Sequence, residues 1–437
     1  VRYFLSKGKK VGGYDRTPSE LTLKLIEEGA DIHYEEAPEK IPGEFKNPES
    51  TLVVYTAAMP EDHILLQYFR KHGFTIYKRA QVLGMLTRSS KGLCAAGTHG
   101  KTTTSTMTAH LLHQSPVGCD AFLGGISKNY GTNLLLSDNS AYVVIEADEF
   151  DRSFHWLSPY ATIITSTDAD HLDIYGTEEA YLESFNHYTS LIQPGGALII
   201  REGIRLQPRL QEGVRLYTYS SESGDFHAEN IRIGGGEIVF DYVSPLGNIF
   251  DVQLGVPVAI NIENGIAAMA LAQLGGVSNE DIKTGMASFR GVDRRFDFKI
   301  KTDKVVYLSD YAHHPEEIKQ SILSMRALYG DKKLTGIFQP HLYTRTRDFY
   351  QEFAESLSLL DEVILTDIYP ARELPIEGVS SQLIYDNLRP DIDKILCTKE
   401  EVIDILKKKE IEVLMTLGAG DIENYAPQIC EILNERC

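Results

Sequence analysis

Residues Ala95 to Thr104 read A-A-G-T-H-G-K-T-T-T, between an apolar run at Gly92 to Ala96 and a helix-like stretch from Thr103 to His113. A strand that stops at small residues and turns into a helix aims backbone N–H groups and the positive helix end at one point, where an anion can sit. In such a phosphate loop Lys101 would reach β- and γ-phosphates, and the Thr102 hydroxyl would ligate Mg²⁺. Ala95 occupies the first glycine position of the G-x-x-x-x-G-K-[ST] pattern, so the loop is a variant. A chance GKT at a threonine-rich helix start is the competing reading, and the strand before it argues against chance.

Other groups suit the same chemistry. Glu146 ends the apolar strand Ala141 to Ile145, a position from which a carboxylate can ligate the loop's Mg²⁺ directly or through water. An ordinary solvent-facing acid is the alternative there. His171 sits in D-A-D-H-L-D after the strand Ala161 to Ser166, where an imidazole could ligate metal or orient a substrate. Asn261 and Asn264 are three apart and share a helix face, so they could hold a ribose or phosphate, or cap the helix. Arg295 in G-V-D-R-R-F-D could neutralise charge on a transferring phosphoryl group. Tyr311-Ala-His313-His314-Pro315 lies between a strand and a helix, and of two adjacent histidines only one can face the cleft, taken here as His313. Arg345, after the strand-end His341, could fork onto a carboxylate, although Arg294-Arg295 and Arg345-Arg347 also read as solvated charge.

The elements that must position these groups alternate strand and helix, as in α/β proteins. With 437 residues the length favours two or three domains. The first stretch opens within a helix. It has a short strand at Lys10 to Tyr14 ending in Asp15, a helix at Leu21 to Glu28, strands at Thr51 to Thr56 and Phe74 to Tyr77, and a helix at Asp62 to His72 between them. An acid at such a strand end can bond a ribose or sugar hydroxyl, and a preceding strand with its glycine turn would be expected upstream. Arg88 to Gly92 reads as a polar linker. The middle stretch is a parallel sheet with an antiparallel excursion between Asp225 and Pro257, then helices at Asn261 to Leu274 and from a capping box at Ser278. The last stretch, from near Gly291, predicts strands at Lys304 to Leu308, Leu334 to Phe338, Glu362 to Thr366 and Glu412 to Leu417. Helices are expected from Pro315, at Arg347 to Leu360 and at Ile422 to Leu433, and Gly418-Ala-Gly420 could approach a phosphate closely.

A composition with 43% hydrophobic and 24% charged residues is that of a soluble globular protein, and no apolar run approaches the roughly 18 residues of a membrane span. The chain reads as cytoplasmic. Its net charge of −19 opposes binding to nucleic acid, and five scattered cysteines indicate neither disulfide framework nor zinc site.

The segments GTHGKTTT, EADEFDRSF, TDADHLDIYG, GVDRRFDF, DYAHHPEEI, FQPHLYTRTRDFY and LGAGDI occur in this order in Mur ligases, and the resemblance spans nearly the whole chain. The chain looks most like the alanine-adding members, and the absence from His171 to Ser190 of the lysine that relatives adding later amino acids carbamoylate supports that type and its close tripeptide-recycling cousin. The resemblance implies three domains: a Rossmann-like UDP-sugar domain at 1–88, a central P-loop ATPase domain at 89–292, and a Rossmann-like C-terminal domain at 293–437. It implies an ATP-dependent ligase joining L-alanine to UDP-N-acetylmuramate through an acyl phosphate. Gly97, Thr98, His99, Gly100, Lys101, Thr102 and Thr103 would bind ATP, with Asn261, Asn264, Arg295 and Asp310. Thr102, Glu146 and His171 would surround Mg²⁺, and Lys101, Glu146, His171 and Arg295 would serve the reaction. Asp15, Gly124, Gly125, Tyr311, His313 and Arg345 would face the other substrates. Neither nucleic acid nor membrane is an expected partner, and a monomer or weak homodimer is. Three positions depart from the family pattern: Ile260 for a histidine, Ser309 for an aspartate and Leu342 for an arginine. A tripeptide-recycling ligase, a P-loop NTPase switch and a noncatalytic nucleotide-binding scaffold are the competing readings.

Overall fold

Leu93, Cys94, Ala95 and Ala96 are at most 1% exposed because their strand, Lys91–Ala96, lies in the middle of a sheet covered on both faces. The structure, a computed structural model, describes residues 1–437 apart from Ala57, Ala58, His171, Gly235, Arg372, Arg436 and Cys437, and apart from the side chains of Glu20, Leu172 and Asp173. Among the described residues seven strands form the central sheet. Their order is Arg215–Tyr219, Ala197–Arg201, Ala161–Ile164, Lys91–Ala96, Tyr142–Glu146, Asp120–Ser127, Thr132–Leu135. All neighbours run parallel except the last pair. From Lys91–Ala96 the chain builds one side of the sheet, then crosses to build the other. The carboxyl end of that strand is therefore the switch point at which open sheets take ligands.

The helix that follows, Lys101–His113, is buried from Thr104 to Leu112 despite its hydroxyls. Thr106 and Thr108 donate to the carbonyls of Thr102 and Thr104 at 2.7 and 2.8 Å, so burial leaves these hydroxyls satisfied. Helix Ile260–Leu274 packs on it through small buried residues that include Ala267, Ala268 and Ala270. The antiparallel excursion is a three-stranded sheet of His227–Gly234, Glu237–Val243 and Ile249–Gln253.

A second large sheet orders Asp297–Lys301, Val306–Asp310, Val413–Leu417, Leu334–Phe338, Glu362–Leu365 and Asp393–Leu396, parallel except for the first. The strand expected at Lys304 to Leu308 starts two residues later. Thr302 closes a turn on Val305, its N–H and hydroxyl reaching the Val305 carbonyl at 3.0 and 2.9 Å. This shift puts Asp310 at the strand end. The helix expected from Arg347 begins at Tyr343 and ends at Leu357.

The N-terminal segment opens with the short helix Arg2–Ser6 and holds two parallel pairs, Gly12–Tyr14 with Asp31–His33 and Leu52–Tyr55 with Thr75–Lys78. The linker expected at Arg88 to Gly92 is instead packed structure. Arg88 and Ser89 end helix Arg79–Ser89, and Lys91 already begins the central strand. Polar composition hid a buried contact: a Cβ on Gly84 would come 2.1 Å from the Trp156 carbonyl oxygen, and the Thr87 hydroxyl accepts the Ser158 N–H at 2.9 Å. Cys94 and Cys119 are buried, Cys397 and Cys430 are partly so, and all four are free thiols, while Cys437 lies outside the described residues. No helix among the described residues is long and apolar enough to cross a membrane.

Candidate functional site

Gly97 and Gly100 adopt φ of 129° and 79°, and neither has room for a side chain. A Cβ on Gly97 would lie 2.2 Å from Thr165 Oγ1, and one on Gly100 would lie 2.8 Å from Asn264 Oδ1. The end of the neighbouring strand clamps the loop between them. The His99 N–H donates to Ser166 Oγ at 2.9 Å, and the Thr165 hydroxyl reaches the carbonyls of Ala96, at 3.1 Å, and His99. Thr98 Oγ1 donates to the Asp168 carbonyl at 2.7 Å. Thr103 sits half-buried in the first helical turn.

Lys101 folds back over this loop. Its Nζ donates to the carbonyls of Gly97 and Thr98 at 2.6 and 3.2 Å and to Glu149 Oε1 at 2.9 Å, and lies 2.8 Å from Glu149 Oε2. Glu149 is 1% exposed, and burial pushes its carboxyl up while Lys101 pulls it down, with burial prevailing. Glu149 escaped the sequence reading although it stands in the same E-A-D-E cluster as Glu146; the cluster was visible, its division of labour was not.

Glu146 is seated from two sides. The Thr102 hydroxyl donates to Oε1 and the Gly124 N–H to Oε2, both at 3.1 Å. Burial raises its carboxyl above the usual range, against Lys101 and Thr102. A Cβ on Gly124 would lie 2.1 Å from Glu146 Oε2, and one on Gly125 would lie 2.5 Å from Val292 Cγ1, so these glycines make room for the carboxylate and for the segment after Gly291. Thr102 and Glu146 together offer adjacent hard oxygen donors, the kind Mg²⁺ prefers. His171 lies outside the described residues.

Asn261 and Asn264 are buried, and neither caps its helix, whose N-cap residue is Ala259, without a side-chain cap bond. Asn261 Nδ2 donates to the Val256 carbonyl at 3.2 Å and its Oδ1 accepts from Asn264 Nδ2 at 3.1 Å. Asn264 Oδ1 is thereby turned toward Gly100 and Thr104. Beside the loop a cavity of about 500 Å³ is lined by Ser166, Asp168, Glu178, Arg201 and Arg205. Arg201 pairs with Glu263 at 2.7 Å, a pair that sequence spacing does not reveal.

The chain crosses to the second large sheet through Gly291 to Phe296. Asp293 N–H donates to the Ile126 carbonyl at 2.9 Å, and Arg294 and Phe296 take left-handed φ of 64° and 44°. Arg294 and Arg295 both lie over the Tyr311 ring, 4.6 and 4.9 Å from its centroid. The Asp310 carboxylate accepts from Phe296 N–H at 3.1 Å and from the Ser321 hydroxyl, so here it fastens this crossing. Beyond it, Tyr311, His313 and His341 form a ring cluster with centroids 5.3 and 6.0 Å apart, and Arg345 Nη1 lies 3.2 Å from His341 Nδ1. Burial, with Arg345 adding to it, lowers His341 to about 4. Arg347 instead pairs with its exposed neighbour Asp348, as a solvated charge does. The two glycines of Gly418-Ala-Gly420 give way to Gln339, whose backbone and side-chain oxygens a Cβ would meet at 2.6 and 2.1 Å. Asp15 directly follows the strand Gly12–Tyr14, exposed, accepting from the Thr17 N–H at 3.3 Å.

Known proteins resemble this chain over its length. Residues 1–91 match the Mur ligase family catalytic domain, 95–272 the Mur ligase middle domain, and 294–421 the Mur ligase glutamate ligase domain. The UDP-N-acetylmuramate--L-alanine ligase of Phocaeicola vulgatus is 78% identical over 436 residues, covering 100% of this chain and 95% of its own. That of Parabacteroides distasonis is 63% identical over 434 residues, covering 99% and 94%. Among solved structures, the UDP-N-acetylmuramate-alanine ligase MurC of Thermotoga maritima has a TM-score of 0.81 at 25% identity, covering 100% of this chain and 96% of that one. A murein peptide ligase from Psychrobacter arcticus shares the fold at a TM-score of 0.62 and 20% identity, covering 98% and 95%.

Proposed function

The chain belongs to the Mur ligase family, and from that membership we propose that it joins L-alanine to the carboxylate of UDP-N-acetylmuramate with cleavage of ATP to ADP and phosphate. The observation that carries this reading is the meeting of the two halves of the site: His99 of the phosphate loop lies 3.5 Å from Glu317, in the helix opened by the DYAHH turn. On this reading the phosphoryl donor and the attacking amine would meet in one cleft.

The substrate carboxylate oxygen attacks the γ-phosphorus, ADP leaves, and an acyl phosphate forms. The free amine of alanine then attacks the acyl carbon. The tetrahedral intermediate expels phosphate, the amide forms, and the surplus amine proton leaves. No side chain need form a covalent bond, because such transfers are governed by positioning and charge. Lys101 and the loop N–H groups hold the phosphates, while Asn264, steadied by Asn261, supports the loop beneath them. Arg295, fixed by Tyr311 and through Asp310, faces the nucleotide, and Tyr311, His313 and Arg345 receive alanine. Thr102, Glu146 and His171 would hold Mg²⁺, which supplies charge neutralisation at the phosphates. Asp15, Gly124 and Gly125 serve the UDP-sugar side, the glycines by leaving room beside Glu146. We take the domain limits as 1–88, 89–292 and 293–437, and the cytoplasm as the site of action.

ADP release measured with UDP-N-acetylmuramate should depend on the amino acid and be fastest with L-alanine, ahead of L-serine, glycine and a peptidoglycan tripeptide. Preference for the tripeptide would reassign the chain to peptide recycling. ATP turnover independent of any acceptor would make it an NTPase switch.

A further inference from the structure

Glu317 lies between the two halves of the site and has no part in the mechanism above. It is the third residue of helix Pro315–Leu328, and its side chain is 25% exposed. Oε2 accepts the backbone N–H groups of His313 and His314 at 3.1 and 3.2 Å, closing the first turn and fixing the backbone that carries His313. Oε1 faces His99 Nδ1 at 3.5 Å, and the other ring nitrogen of His99 lies 3.6 Å from Asp168 Oδ2. One imidazole thus stands between a carboxylate of the central sheet and one of the C-terminal helix.

His99 cannot drift within the loop. Its N–H is held by Ser166 and its carbonyl by Thr165, between two glycines that tolerate no side chain. On the other side, the His313 ring nitrogen Nδ1 lies 3.5 Å from Glu317 Oε2 and 2.9 Å from the Tyr311 carbonyl. The path from loop to acceptor pocket is two side chains long. Burial works against the Glu317 charge, but His99, His313 and the N–H groups outweigh it and hold its carboxyl well below the usual carboxylate range. Burial also works against a proton on His99, yet Glu317 and Asp168 leave it above the ordinary imidazole value.

We propose that Glu317 is a positioning residue that couples occupation of the phosphate loop to the geometry of the amino-acid pocket, acting through His99. This rests on the reading that the loop takes ATP and that the turn at Tyr311 to His313 faces alanine. A shift of the loop on filling is passed by His99 to Glu317, and by Glu317 to the backbone of His313.

Glu317→Gln keeps an oxygen for the helix N–H groups and removes the charge that His99 meets. In the full chain, with saturating UDP-N-acetylmuramate and ATP, this variant should raise the KM for L-alanine about tenfold, the scale of one interaction with a charged group. The dissociation constant for ATP, measured without L-alanine, should stay within about twofold, a split that a merely structural role would not produce. The double variant His99→Gln/Glu317→Gln should be no worse in alanine KM than the poorer single variant, because both break one path. Additive losses, or an equal weakening of ATP binding in the absence of L-alanine, overturn the proposal. A wild-type protein without alanine-dependent ADP release would overturn the ligase reading instead, and the coupling then has a separate readout. A non-hydrolysable ATP analogue should protect the amides of Pro315–Leu328 from hydrogen exchange in the wild type and fail to do so in Glu317→Gln. Protection absent from the wild type, or retained in the variant, overturns the coupling whatever the acceptor.

Discussion

Lys101→Ala is expected to lower ligation about a thousandfold, the scale on which removing a pre-positioned electrostatic donor acts, and also to lower the melting temperature. The second effect comes from Glu149. With Lys101 gone, a carboxylate that is 1% exposed loses the ammonium 2.8 Å away, and breaking a buried pair from one side costs about 3–5 kcal/mol. Burial already favours the protonated form of Glu149, so proton uptake recovers part of that loss. Adding Glu149→Gln to a Lys101→Met variant should therefore restore much of the melting temperature and none of the activity. Thermal melting and ADP release, measured on the same samples, separate the two roles. Undiminished activity removes the loop from the mechanism; an unchanged melting temperature in Lys101→Ala removes Glu149 from the account.

Gly124→Ala should have the next largest effect, although it adds only one carbon. Its Cβ would stand 2.1 Å from Glu146 Oε2 and 2.7 Å from Oε1, so the carboxylate must leave the position shared with Thr102. A displacement of about 1 Å in a reacting constellation lowers rates about a hundredfold. The turnover rate should fall on that scale while the melting temperature stays near wild type, since the residue is exposed. Gly125→Ala should be milder in rate, because its nearest neighbour is a Val292 methyl and not the Glu146 carboxylate. A Gly124→Ala rate within about threefold of wild type would show that Glu146 need not be held where it is.

Much of this was legible beforehand because it depends on local pattern. The strand Leu334–Phe338 has the expected limits, since continuous apolar runs mark buried parallel strands. The phosphate loop was visible through its glycines, and the structure explains the odd one. Ala95 is strand, paired with Glu146 and Ile163, and the turn begins only at Gly97. A side chain at 95 is therefore harmless. What stayed hidden were relations between distant segments. Asp310 is occupied by Phe296 and Ser321, Asn261 serves Asn264, and Glu149 answers Lys101, all of them contacts that periodicity cannot report. The departures from the family pattern also find local settings. Ser309 donates to Glu423 inside the sheet, Ile260 is 43% exposed at its helix start, and Leu342 takes a φ of 72° before helix Tyr343–Leu357.

The crossing from Gly291 to Phe296 behaves as a mechanical detent. Two L-residues, Arg294 and Phe296, are wound left-handed on either side of Arg295, a conformation that costs about 1–2 kcal/mol per residue. A local turn closes it, with the Arg295 N–H donating to the Val292 carbonyl at 3.1 Å and the Arg294 carbonyl accepting from Tyr311 N–H at 2.7 Å. It is retained because Phe296 N–H is caught by Asp310 and because two guanidinium groups rest on one tyrosine ring. Loosening those catches would remove what holds both residues in the left-handed region, so the winding of the crossing depends on contacts made by the C-terminal sheet.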